Sequence, residues 1–377
     1  MNFKGISYYL SLFCFPISIL AFVNILYSSY FDYFLSIYSY LVTLIFSLLT
    51  GSSLLLIGKK SEKKINFIEQ LLLIILVYLL ISIFISLPFY LSNYQVTFLN
   101  SLFESISGLT GTGFSIFSNI KYLDPTLILW RSSSQWIGGL YFLFFLIFVF
   151  SNKQFRYKMN DLTYSGDGRT KSETNIKEFL SRIFILYSVL SFIIFLLLNI
   201  SEVRMFNSLN LSMSLISAGG FIPTDSLNKI IRSNPQKLVF ILSLLISMLN
   251  FFFILNIFKT KVIIREHKED LYLIVLSIVF ILLVYLNDYN GLNIILSVLS
   301  SLSNSGLSLI NSNNNLSLYF ILITIIGGSL ISNTSGIKFT RIYILFKTAS
   351  SEIIKLISPN SVINKNIFNS EKKITDD

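Results

Sequence analysis

The sequence predicts an all-α polytopic membrane protein, with about eight transmembrane helices and three re-entrant pore-helix/filter loops. The first observation behind this is composition. Of 377 residues, 53% are hydrophobic and only 13% are charged, with a mean hydropathy of +0.71, whereas soluble domains carry about a quarter charged residues. The second is length: several windows hold about 20 mainly apolar residues, enough to cross ~30 Å of hydrocarbon as a helix. The third is a motif. Three connections between these windows share an apolar stretch that breaks into a run of glycine and hydroxyl residues.

The first apolar segment, residues 6–30, is too long for a signal-peptide core and lacks a small-residue cleavage site, so it reads as a retained helix. Further spans are expected at 34–57, 66–90, 126–150, 179–200, 236–258, 271–289 and 316–347. Most of the 29 basic residues fall in the alternate connections: Lys59, Lys60, Lys63 and Lys64, then the 151–182 loop, the 259–270 region and the stretch from Lys338 onward. The positive-inside rule therefore places both termini in the cytoplasm. The net charge of +10 is accounted for by topology and by anionic lipid headgroups, and it gives no support to nucleic-acid binding. A single cysteine, Cys14, permits no internal disulfide. The one histidine, His267, sits in a charged loop. No span carries clustered His, Asp or Glu, so neither enzymatic activity nor a cofactor is expected.

The three motif-bearing connections follow one plan. VTFLNSLFESISGL (96–109), RMFNSLNLSMSLI (204–216) and LNIILSVLSSL (292–302) are short apolar stretches of about three turns each. They lead into TGTGF (110–114), SAGGF (217–221) and SNSGL (303–307). The shared pattern is [Ser/Thr]-x-[Ser/Thr/Gly]-Gly-[Phe/Leu], with its glycine at Gly113, Gly220 and Gly306. Irregular backbone at membrane depth is tolerated where it is buried in protein or lines a wet cavity. A half-helix that stops there presents unpaired carbonyls and the negative end of its dipole. Glycine opens backbone angles that turn carbonyls toward one pore, and rings of carbonyls can replace the hydration shell of a potassium ion. Glu104 either draws cations to the mouth or caps and solvates its helix. Arg131 reads as an interfacial anchor rather than a pore residue, and Lys338 and Arg341 as the cytoplasmic end of the last span, with a contact to a gate or regulatory subunit as the alternative. Asn250 reads as a hydrogen-bonding group between helices, with an ion-pathway role as the alternative. The pair Gly138–Gly139 reads as close helix packing.

With these motifs in place, the chain resembles the TrkH/KtrB family of potassium transporters. ESISGLTGTGFS (104–115), SLISAGGF (214–221) and SSLSNSGLS (300–308) are similar to its filters. WRSSSQWIGGLYF (130–142) and MLNFFF (248–253) resemble the helices that follow, and GGSLISNTSGIKFTR (327–341) resembles its broken helix. The resemblance implies a single-chain pore with an ion on its axis. Ion-coordinating residues would be Thr110, Gly111, Thr112 and Gly113, then Ser217, Ala218, Gly219 and Gly220, then Ser303, Asn304, Ser305 and Gly306. Glycine at 113, 220 and 306 implies potassium rather than sodium. The gate would be Gly327, Gly328, Ser329, Asn333, Thr334, Ser335 and Gly336.

The resemblance also implies domains. These are a two-helix region at 1–64, repeats at 65–158, 159–262 and 263–349, and a cytoplasmic connector at 350–377. The family has four repeats and three are found here, so a polypeptide supplying a fourth repeat is an expected partner. A homodimer in the cell's inner (plasma) membrane and a cytoplasmic nucleotide-binding regulatory subunit are expected as well. The function so implied is potassium uptake without covalent chemistry, potassium being the transported substrate. The alternative is a truncated or split membrane protein that acts only as a partial subunit or interaction partner.

Overall fold

A computed structural model describes residues 1–33, 37–61, 65–150, 176–257, 268–285, 291–309 and 314–358. Its helices, in chain order, begin with α1 (Phe3–Tyr30), α2 (Ile37–Gly58), α3 (Phe67–Tyr90), α4 (Phe98–Leu109) and α5 (Pro125–Phe150). There follow α6 (Ile176–Ile200), α7 (Met205–Ile216), α8 (Asn234–Met248) and α9 (Phe251–Ile257). The last are α10 (Lys268–Tyr285), α11 (Gly291–Leu302), α12 (Asn314–Ile325) and α13 (Phe339–Ile357). Among the described residues the only β-type pairing is an isolated bridge between Ile326 and Ile337. The chain divides into two compact units, Met1–Val239 and Phe240–Asp377.

Five helices, α1, α2, α3, α5 and α6, are long and apolar enough to cross a membrane. Apolar residues fill the core between them and also cover their outer faces. Phe22, Leu26, Leu49 and Ile75 face outward, as lipid contact requires, while Ser11, Ser18, Thr43 and Ser47 are buried between helices. Each of these four hydroxyls bonds back to a carbonyl of its own helix, for example Ser11 to Tyr8 at 2.6 Å and Thr43 to Ser39 at 2.8 Å, which satisfies it without a partner helix. Small residues then let the backbones approach. A Cβ placed on Gly58 of α2 would lie 2.5 Å from the Tyr8 nitrogen of α1.

In the first unit α5 is the central element, packed on α1, α3, α4, α6 and α7. Two of its aromatic donors reach backbone carbonyls in neighbouring helices. Trp130 Nε1 donates to Ile85 at 3.0 Å and the Tyr141 hydroxyl donates to Phe13 at 2.7 Å. Each acceptor lies three residues ahead of a proline inside its helix, Pro88 in α3 and Pro16 in α1. Each proline removes the helical bond to the carbonyl four residues before it, that of Phe84 or Leu12, and the bonds from α5 tie the helix at the next residue.

The repeat plan is present three times. The short helices α4, α7 and α11 are each 12 residues long, and each ends in one of the glycine-and-hydroxyl runs. Two of the expected spans differ from single helices. The span expected at 236–258 breaks between Met248 and Phe251 into α8 and α9. There the Asn250 side chain accepts from the Phe252 N–H at 2.9 Å and starts α9 as its N-cap. The span expected at 316–347 is interrupted by residues 326–338, with α12 before and α13 after.

Candidate functional site

Each pore helix ends in the same turn. The N–H of Gly111 donates to the Gly108 carbonyl at 3.1 Å and that of Thr112 to Ser107 at 3.0 Å. The second repeat gives Ala218 to Leu215 at 3.1 Å and Gly219 to Ser214 at 2.9 Å. The third gives Asn304 to Ser301 at 3.1 Å and Ser305 to Ser300 at 3.0 Å. This pair of bonds is the Schellman helix stop, whose pivotal residue must be left-handed. Gly111, Ala218 and Asn304 accordingly have φ of 69°, 55° and 59°. Two residues later the backbone is left-handed again, at Gly113, Gly220 and Gly306 with φ of 80°, 84° and 66°. The expected filter segments thus share one conformation that recurs across all three repeats. The turn uses two of the terminal carbonyls of each helix, which the sequence reading had left unpaired.

In the first unit the first two segments lie against each other. A Cβ on Gly111 would meet the Ser217 carbonyl oxygen at 3.7 Å, and one on Gly113 would fall on the Gly219 carbonyl oxygen. The second segment is held from behind by α5. Gln135 Nε2 donates to the Gly219 carbonyl at 2.6 Å, and its Oε1 accepts from the Phe221 N–H at 3.1 Å. Gly138 provides close packing, as expected: a Cβ there would fall on the Leu109 carbonyl oxygen at the end of α4.

Behind the first segment stands a buried ion pair. Arg131 Nε and Glu104 Oε1 are 2.7 Å apart, with side chains 1% and 0% exposed. Glu104 also accepts from the Ser115 hydroxyl at 3.0 Å and the Ile116 N–H at 2.9 Å, and Arg131 Nη2 donates to Ser115 at 2.9 Å. The guanidinium lies 4.3 Å from the centre of the Phe221 ring. This corrects both readings of Glu104 and the reading of Arg131. Neither is at a mouth or an interface. Together they brace the chain that leaves the first segment against α4, α5 and Phe221.

In the second unit the third segment adjoins the interrupted stretch. Gly336, at φ 76°, is so close to Asn304 that a Cβ would lie 3.1 Å from Nδ2. The stretch closes on itself, Gly327 N–H donating to the Ile337 carbonyl and Ile337 N–H to Ile325, both at 2.9 Å. It docks on the α8–α9 break, where Ser329 N–H donates to Met248 and Phe251 N–H to Ile331, both at 3.0 Å. Ser329, Asn333 and Thr334 are buried, and the Ser335 carbonyl oxygen would meet a Cβ on Gly327. All seven residues expected at the gate belong to this one closed turn.

Two acidic residues hold it. Glu269 Oε1 accepts from the Leu330 N–H at 2.9 Å and the Thr340 hydroxyl at 2.5 Å, and Asp270 Oδ1 accepts from the Asn250 N–H at 2.9 Å. The Asn250 side chain is a helix cap, and the bond between helices expected at this residue runs through its backbone N–H to Asp270 of α10. Lys338 is buried against the same turn, the contact given as the alternative reading, rather than marking a cytoplasmic helix end. His267 and most of the 151–182 and 259–270 loops lie outside the described residues, as does the connector from residue 359.

No family model matches the chain. It is 27% identical over 295 residues to an uncharacterised cation transporter of Methanocaldococcus jannaschii, covering 76% of this chain and 60% of that protein. It is 23% identical over 353 residues to the Trk system potassium uptake protein TrkG of Escherichia coli, covering 88% and 72% respectively. With TrkH of the same organism it is 24% identical over 349 residues, covering 87% and 71%. The crystal structure of the potassium transporter TrkH from Vibrio parahaemolyticus superposes with a TM-score of 0.84 at 19% identity, covering 97% of this chain and 79% of that one. The chain has the TrkH fold. It spans 60% of the length of the archaeal relative and is a multi-pass membrane protein. Within the TrkH fold, the residues that sequence reasoning missed are Gln135, Glu269 and Asp270. A lone amide or carboxylate beside an apolar run was the available signal.

Proposed function

We propose that this chain is the pore-forming subunit of a Trk-type potassium uptake system. The observation that carries the reading is the repeated backbone of 110–113, 217–220 and 303–306, left-handed at the second and fourth residue of each segment. Alternating handedness turns neighbouring carbonyls toward a common side, which an extended strand cannot do. Oxygen ligands so arranged suit a weakly hydrated monovalent cation. Potassium would lose its water to these carbonyls from outside and pass the closed turn at 326–338, which serves as the gate. Gly219 brings a carbonyl already bonded to Gln135, so only its second lone pair is left for an ion.

The basic connections put the termini on the cytoplasmic side of the cell's inner (plasma) membrane. By resemblance that face would meet a nucleotide-binding regulatory subunit, with two copies of the chain in the assembly. A polypeptide carrying a fourth repeat would complete the filter. The test is growth at low potassium of a cell that lacks potassium uptake. The chain is expressed alone and fused to a fourth helix–filter repeat from a Trk relative. Restored growth in either arm, abolished by shortening the 110–113 segment, is the expected result. Failure of both arms overturns the proposal.

A further inference from the structure

Lys338 occupies an unusual place for a lysine. It precedes the first turn of α13, where the helix dipole disfavours a cation, and its side chain makes no cap bond there. Instead the chain folds back into the turn at 332–334. Nζ donates to the Thr334 carbonyl at 2.6 Å and the Ser332 carbonyl at 2.9 Å. It also lies 3.1 Å from the Ser332 hydroxyl oxygen and 3.4 Å from that of Thr334. Two residues thus put four oxygens around one positive centre that is 8% exposed.

The oxygens are also oriented by bonds that do not involve the lysine. Ser332 Oγ donates to the Ser329 carbonyl at 2.7 Å, the two hydroxyls are 2.9 Å apart, and Thr334 Oγ1 accepts from the Gly328 N–H at 2.8 Å. Gly328 leaves them room, because a Cβ there would come within 2.7 Å of Thr334 Oγ1 and 3.0 Å of Ser332 Oγ. Glu269 attracts the Lys338 charge, and Arg341 opposes it. A compact, point-like ammonium and a dehydrated potassium ion are of similar size and take the same ligands.

We infer that the Ser332–Thr334 turn is a monovalent-cation site that the chain fills with its own Lys338 ammonium. The lysine is a tethered occupant that keeps the interrupted segment folded. When the tether is removed, the turn takes a potassium-sized ion from solution. This stands on the geometry of the turn and does not need the transport reading.

The experiment is hydrogen exchange on the purified full-length chain in detergent, comparing wild type with Lys338→Met. In choline chloride, the amides of residues 327–329 and 337 in the variant should exchange at least about tenfold faster than wild type. Replacing choline with potassium or rubidium at equal ionic strength should return them to the wild-type rate, and lithium should not. Wild-type amides should be indifferent to the cation, and α4 and α5 should exchange alike in both proteins. Unchanged protection in choline, protection lost but not returned by potassium, or an equal cation response in wild type would each overturn the inference. If α4 and α5 also lose protection, Lys338→Arg carries the test. Its planar guanidinium keeps the charge but cannot enter the four-oxygen turn, so the local opening and its closure by potassium should persist. Wild-type protection in that variant, or no response to potassium, overturns the inference equally. None of these readouts measures flux, so failure here and failure of the transport proposal are told apart.

Discussion

Gln135 and Gly219 are joined by a 2.6 Å hydrogen bond from the side-chain amide of α5 to the backbone of the second proposed filter segment. The same amide accepts from Phe221 at 3.1 Å, so it brackets Gly220 as a neighbouring β-strand would. A Cβ at Gly219 would fall on the Gln135 carboxamide, so a side chain there would push the amide out of these bonds. The second segment is shaped by a helix 84 residues away in sequence.

Gln135→Leu should leave the Gly219 carbonyl and the Phe221 N–H without this partner. Stranding a buried polar group costs about 1–3 kcal/mol. A lower thermal midpoint in detergent and weaker discrimination of potassium from sodium are the expected outcomes. A midpoint equal to wild type would show that the bracket is dispensable.

The ion pair of Glu104 and Arg131 predicts a non-additive cycle. Removing one partner, as in Glu104→Gln or Arg131→Met, leaves a buried charge uncompensated and should cost about 3–5 kcal/mol. The double substitution should cost less than the sum of the two. Denaturant titration of the four proteins measures the coupling, and simple additivity would mean that the pair does not act as a unit.

Gly113 and Gly306 have similar left-handed φ, yet alanine should affect them differently. Both pay the strain of a side chain at that angle, roughly 1–2 kcal/mol. At Gly113 the new Cβ also meets the Gly219 carbonyl oxygen and lies 3.3 Å from the Gly220 Cα, while at Gly306 nothing among the described residues lies within 4 Å. Gly113→Ala should therefore be the more destabilising of the two, and Gly113→Ser should weaken the preference for potassium over sodium in an uptake competition. Equal stability losses would mean that the two segments do not press on each other.

Asp225 ties the two outer loops of the first unit. Its carboxylate accepts from Lys229 Nζ at 2.8 Å and from the Lys121 N–H at 3.2 Å. The lysine ammonium first, and then the amide, hold its carboxyl below the usual aspartate value of 3.8. A depressed folded pKa makes the contribution fully present above the unfolded value and lost as pH falls through the folded one. Proteolysis of the 119–123 loop should thus be constant from neutral pH down to the ordinary aspartate range and rise only below it. Asp225→Asn should remove that acid step.

The repeats were legible because their signal is local. A helix, a Schellman stop and a left-handed glycine fit within about a dozen residues, so TGTGF, SAGGF and SNSGL announce themselves. The interruption at 327–336 was legible only through its resemblance to the family's broken helix, since the apolar pattern alone reads as one span over 316–347. The partners of single polar groups were not. Glu104 and Arg131 are 27 residues apart, and each taken alone looks like a solvated or interfacial charge. Lys338 read first as topology, and only second as a gate contact, because its charge is visible in one dimension and its oxygen cage is not. MLNFFF reads as continuous helix until Asp270, twenty residues on, is found bonded to the Asn250 backbone.

The Schellman turns make each filter segment the C-terminal cap of its own pore helix. The carbonyls proposed to meet the ion therefore have no independent fold, since their angles are inherited from whether the last helical turn closes. Fraying of α4, α7 or α11 by a single turn would register first as a loss of ion discrimination, well before any loss of the membrane bundle. On the proposed function, selectivity would be a readout of helix termination.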